Sequence, residues 1–127
     1  MTAISFNTFF LSQFLKMEIH YTKKALKKMC PDWQCIRSFG DLIGRITLRR
    51  IIELKAAACL EDLKNAPGRH EELKGDRRLQ LSCRLDASRR LIYTPLGNPS
   101  DYIENNGLVW KKVNAVEIIE AVNYHQE

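Results

Sequence analysis

With 127 residues, 45% hydrophobic and 28% charged, the chain has the make-up of one folded domain with a modest core, which excludes a disordered tail. No run approaches the roughly 18 apolar residues of a membrane-spanning helix, so no membrane partner is expected. The formal net charge of +5 permits a polyanionic partner such as RNA, DNA or an acidic protein. More than half of it, a local excess of +3, falls between Arg69 and Arg90, where seven Lys/Arg meet four acids.

The first stretch, "MTAISFNTFFLSQFLK", has an apolar centre but neither a basic leading region nor a small-residue cleavage site, and makes a poor signal peptide. Met17 then opens "MEIHYTKKALKKM", which reads as a natural chain start. Residues 1–16 are therefore expected to be an extension, either a frayed amphipathic helix or a product of start-codon choice, and 17–127 the domain. The alternation of Met17 to Tyr21 predicts a half-buried strand. Thr22 is placed to cap a short helix through "KKALKKM", with Ala25, Leu26 and Met29 inward, and Pro31 ends it.

A longer helix is expected from about Phe39 to Asn65. Its inward stripe would be Ile43, Thr47, Ile51, Leu54 and Ala58, blurred by Ile46, Leu48, Ile52 and Leu60, so that it packs on more than one side; "NAPG" at Asn65 to Gly68 stops it. Gln80 to Leu85 and Arg90 to Thr94 read as strands joined by the turn "DASR". Pro95 to Gly107 is a polar, turn-rich loop, Val109 to Val113 a short strand, and Ala115 to Asn123 a last, well-buried strand. Strand, helices, then a strand meander make a small α/β (α+β) domain, its helices packed on one face of a mainly antiparallel sheet.

The four cysteines, Cys30, Cys35, Cys59 and Cys83, include one C-x4-C pair, wider than a zinc knuckle and followed by no second pair. Reduced thiols in a cytoplasmic protein, with no metal, is the expectation. Phosphate-loop, dinucleotide, zinc-protease and nucleophile-elbow patterns are absent from the sequence. What remains is basic residues near strands, above all "HEELKGDRRLQLSCRL" from His70 to Leu85, and a late Asn123-Tyr124-His125. Cutting RNA without a metal or cofactor needs a base for the 2′-OH, cations for the charge on phosphorus and an acid for the leaving oxygen, and Lys, Arg, Tyr and His can fill these roles. Without a further signal, Lys74 to Arg78 reads as a solvated turn, and Arg84 and Arg90 as outward strand residues.

The segments "APGRHEELKGDRRLQLSCRL…RRLIYTP" and "NNGLVWKKVNAVEIIEAVNYH" supply that signal. They closely resemble the RelE/ParE superfamily, nearest to the HigB-like, or plasmid-maintenance killer, toxins of type II toxin–antitoxin modules. Members read L-K-G-D-R-K-G-Q before a strand, then Y/W-R-L-I-F, and close on D-Y-H; the resemblance covers Met17 to His125. It implies a toxin that enters the ribosomal A site and cuts mRNA during translation, by 2′-OH attack on the neighbouring phosphate. It also implies a helix-turn-helix (HigA-like) antitoxin as partner, with operator DNA met only through the antitoxin complex.

Carried over by motif, Lys74 holds phosphate, Arg90 stabilises the transition state, and Tyr124 and His125 do acid/base work or stack on bases. Arg84 matches an arginine of some relatives. Arg77 and Arg78 would attract RNA generally, and Asn123 would supply hydrogen bonds. Departures are Asn123 for the family's Asp, Arg78-Leu79 for K-G, Arg89 for an aromatic, and Glu71 where some relatives carry a histidine, next to His70. Two other readings share the fold: a ParE-like gyrase inhibitor without nuclease activity, and a catalytically weakened scaffold that binds antitoxin or RNA.

Overall fold

The computed structural model describes residues 16–123. All but the last residue of the expected extension, and the expected site residues Tyr124 and His125, lie outside the described residues. Among the described residues, seven strands and three α-helices follow in chain order. They are β1 (Glu18–Tyr21), α1 (Lys23–Met29), α2 (Trp33–Phe39), α3 (Asp41–Ala56), β2 (Glu71–Glu72), β3 (Leu81–Arg84), β4 (Arg89–Pro95), β5 (Ile103–Glu104), β6 (Gly107–Leu108) and β7 (Ala115–Asn123). The main sheet has the order β1-β7-β4-β3-β2; β5 and β6 form a separate hairpin. Only the β1–β7 pair is parallel, the rest of the sheet being antiparallel. This is the α+β architecture read from the sequence, and no helix is long and apolar enough to cross a membrane among the described residues.

Local chemistry explains where the first elements begin and end. The Thr22 hydroxyl accepts from Ala25 N at 3.2 Å and donates to Ile119 O at 3.1 Å, so one side chain caps α1 and pins it to the sheet. Ala25 and Met29 face the core, but Leu26 is half exposed, a correction to the expected inward set. No helix is expected from the sequence over Trp33–Phe39, and the long helix expected from about Phe39 is α3 alone. Gly40 takes φ +87°, a left-handed conformation natural to glycine, and separates α2 from α3. The two then pack tightly: a Cβ on Gly44 would stand 2.4 Å from Ile36 Cα.

α3 also ends at Ala56, well before "NAPG". Ala57 is buried, its carbonyl accepts from Met17 N at 2.7 Å, and the Asp62 carboxylate accepts from Ala58 N at 3.0 Å. Those contacts turn the chain into a short 3₁₀ segment, Leu60–Leu63, whose two leucines enter the core. Ile43, Thr47, Ile51 and Leu54 form the inward stripe, whereas Ala58 is exposed. Val109 to Val113 is likewise no strand; Trp110–Lys112 is a 3₁₀ turn that seats Trp110 in the core. Its indole Nε1 donates to Glu72 Oε2 at 3.0 Å, tying this turn to β2.

The core lies between the helices and one face of the sheet. Met29, Cys35, Ile51, Leu54 and Leu60 meet Leu81, Cys83, Leu91, Tyr93, Val116 and Ile118 there. Partners in register share a face of a sheet. The residues alternating with these core positions therefore form rows on the opposite face: Glu71–Ser82–Ile92–Glu120, then Arg84–Arg90–Val122, then Thr94–Glu117–His20. The register shifts between Ile92 and Tyr93, which puts Ile119 out of step and brings Glu120 onto this second face.

Candidate nucleic-acid interface

The basic loop between β2 and β3 folds over that second face. Leu73 N donates to Gln80 O at 2.9 Å and closes the loop, and Thr94 Oγ1 donates to Leu79 O at 3.3 Å from the sheet below. Gly75, at φ +65°, starts a single 3₁₀ turn through Arg77. Arg77 then reaches across the sheet: its guanidinium donates to Glu120 Oε2 at 3.0 Å and to Gln80 Oε1 at 2.9 Å. Glu120 also receives Lys24 Nζ at 3.1 Å. Burial acts to raise the Glu120 carboxyl, but the bonds from Arg77 and Lys24 together bring it below its ordinary value. Arg77, expected to serve as general attraction, is a structural clamp.

The expected site residues fall into two groups. Arg84 and Arg90 are paired in register at the turn end of the β3–β4 hairpin. Asn123 is paired with Arg89 at the same end, but these two alternate with the Arg90 row and lie on the helix side of the sheet, in a groove with Ser38 and Phe39. Arg90 is only 8% exposed, and its Nη1 donates to the carbonyls of Asp86 and Arg89, both at 3.0 Å, and of Ala87 at 3.4 Å. The guanidinium is thus oriented by the "DASR" turn, which is itself built by Asp86 accepting from Ser88 N and Arg89 N. Those backbone bonds hold the Asp86 carboxyl below its ordinary value. Arg84 carries a buried Nε without a hydrogen-bond partner. Lys74 and Arg78 lie at the other end of β3, both exposed, in a groove shared with the β5–β6 hairpin. From Gln80, which closes the basic loop, to Arg84 is about 13 Å at strand rise.

Several residues that support β3 and β4 from the helix side have no signal as site residues. Arg50 of α3 donates from Nε to Arg84 O at 2.9 Å and from Nη1 to the Glu53 carboxylate at 3.0 Å. Gly68 passes between them: its carbonyl accepts from Arg84 N, and a Cβ there would stand 2.6 Å from Arg50 Nε. That close approach, and not a helix stop, is what the glycine of "NAPG" provides. His70 and Tyr93 form a buried pair with Nδ1 and Oη 2.6 Å apart. Burial, aided by the Arg50 charge, lowers the His70 imidazole to about 4, and burial raises the Tyr93 hydroxyl well above its ordinary value. Glu120 does leave a trace in the sequence, as a charge within the apolar run "VEIIEAVN", and Asn105-Asn106-Gly107 has the composition of a tight hairpin turn.

Comparison with solved structures decides the fold. A YoeB/ParE toxin from Agrobacterium tumefaciens superposes on 84% of this chain and 98% of its own, with a TM-score of 0.52 and 18% identity. The chain has the RelE/ParE-type toxin fold. The YoeB–YefM complex from Staphylococcus aureus matches 87% of this chain and 98% of its own at 15% identity and TM-score 0.51. The YoeB dimer from the same organism matches equally widely, at 16% identity and TM-score 0.50. No protein-family model and no curated protein matches the sequence. The RelE/ParE-type fold expected from the motifs is therefore present, with the basic loop over its helix-free sheet face and the β3–β4 turn at the end of the sheet.

Proposed function

We propose that this chain is a HigB-like toxin of a toxin–antitoxin pair, an endoribonuclease that cuts mRNA on the ribosome by attack of a 2′-OH on the adjacent phosphate, without a metal or cofactor. One observation carries the reading: Arg84 and Arg90 stand opposite each other on the helix-free face, at the turn end of the β3–β4 hairpin, with the basic loop over the same face. Two guanidiniums can hold the charge that develops on phosphorus. Arg90 is fixed by its turn carbonyls and so needs little reorganisation as that charge appears. Tyr124 and His125 follow Asn123 directly in the chain and are the acid and base this reading requires. Lys74, at the far end of β3, holds a neighbouring phosphate along the strand.

The partner in this reading is a helix-turn-helix, HigA-like antitoxin that neutralises the toxin and carries it to operator DNA. The YoeB–YefM complex among the similar structures supports a partner of the antitoxin kind. Induced expression in a bacterial host tests the reading. Incorporation of labelled methionine should stop first, with DNA synthesis continuing, and co-expression of the antitoxin should restore growth. DNA synthesis failing first would favour a gyrase poison, and undisturbed growth would favour a binding scaffold.

A further inference from the structure

We propose that the groove between the basic loop and the β5–β6 hairpin is a base-reading subsite for one nucleotide of single-stranded RNA. Lys74 and Arg78 hold its phosphate, and Asn106 bonds the edge of its base. The inference rests on the RNA-binding reading above and adds a residue, Asn106, and a specificity that the catalytic roles do not contain.

Three features of the groove point the same way. First, its polar side chains are uncommitted. Lys74, Arg78 and Asn106 have no side-chain partner among the described residues, whereas Arg77, from the same loop, is held by Glu120 and Gln80. Second, both walls are fixed before anything binds. The loop is closed by Leu73 N to Gln80 O, and the hairpin turns through Asn105 and Asn106 with φ of 52° and 65°. Val109 N donates to the carbonyl of buried Tyr102, Lys112 pairs with Glu104, and the Trp110–Glu72 bond joins the hairpin side to the strand before Lys74. Such preorganisation lowers the entropic cost of binding.

Third, the chemistry suits a nucleotide. Leu73, Leu79 and Leu108 supply apolar surface for a base face, in a space of about 320 Å³. A carboxamide offers a donor and an acceptor side by side, the arrangement that reads a base edge. An ammonium and a guanidinium next to it suit the phosphate. Glu72 also lines the groove, but its Oε2 accepts from the Trp110 indole.

The experiment measures affinities of the full chain for short 2′-O-methyl oligonucleotides, all-A, all-C and all-U, which bind but lack the attacking hydroxyl. The wild type should rank them with a spread of about tenfold or more, as expected for a paired contact to a base edge. Asn106→Gly, which removes the amide while keeping the backbone freedom the turn needs, should flatten that ranking. Lys74→Ala with Arg78→Ala should weaken all three together and reduce the salt slope by about 1.4. An unchanged ranking in Asn106→Gly, or a wild type that does not discriminate, overturns the subsite. Flattened ranking with no mRNA cleavage keeps the subsite and removes the nuclease reading; cleavage with unchanged ranking does the reverse.

Discussion

His70 shows how one side chain can set the acid limit of the fold. Buried against Tyr93 with Nε2 unpartnered, the imidazole is held neutral and titrates at about 4, against 6.5 when exposed. The unfolded chain therefore binds a proton between these values that the folded chain refuses. The stabilisation is complete above pH 6.5 and is lost progressively as pH falls towards 4, by roughly 3 kcal/mol at about 1.4 kcal/mol per pH unit. Urea unfolding at a series of pH values should show this loss in the wild type and a shallower one in His70→Gln. Equal slopes would mean that the imidazole titrates freely in the fold.

At the scale of elements, two contacts carry the architecture. The α2–α3 corner depends on Gly44, whose missing Cβ lets the helix backbones touch at Ile36. Gly44→Ala should cost about 2 kcal/mol or more despite its better helix propensity, because the obstacle is backbone that cannot step aside, and the loss would appear as a lower urea midpoint at unchanged slope. The basic loop depends on the Arg77–Glu120 pair, which is mostly buried and hydrogen-bonded. Arg77→Ala should accelerate hydrogen exchange at Leu73, Arg78 and Gln80, whose amides close the loop, by about tenfold while leaving β4–β7 amides unchanged. Uniform acceleration would show that the pair stabilises the whole fold and not this loop.

Across the whole molecule, what was legible follows from the range of the interactions. Alternation in Met17 to Tyr21, the Thr22 cap and the β3–β4 turn are local, and each element stands where the residues place it. The exit of α3 at Ala57 is set by Met17, forty residues away in the chain, and no local signal marks it. The same holds for Arg77, whose role depends on Glu120 across three strands. For the site, Arg84 and Arg90 emerge together as their positions on paired strands suggest, while Lys74 takes its place at the other end of β3 through loop closure. The fold sets Arg84 and Arg90 at one end of a sheet face and Lys74, in the loop over that face, at the other.

That arrangement gives the account its central test. Purified protein is added to ribosomes translating a defined mRNA, and the products are mapped by primer extension. Cuts phased with the codons should appear while the message is translated, and should vanish in Lys74→Ala with Arg90→Ala and in Tyr124→Phe with His125→Gln. An mRNA that stays intact under active translation with the wild type would contradict the account.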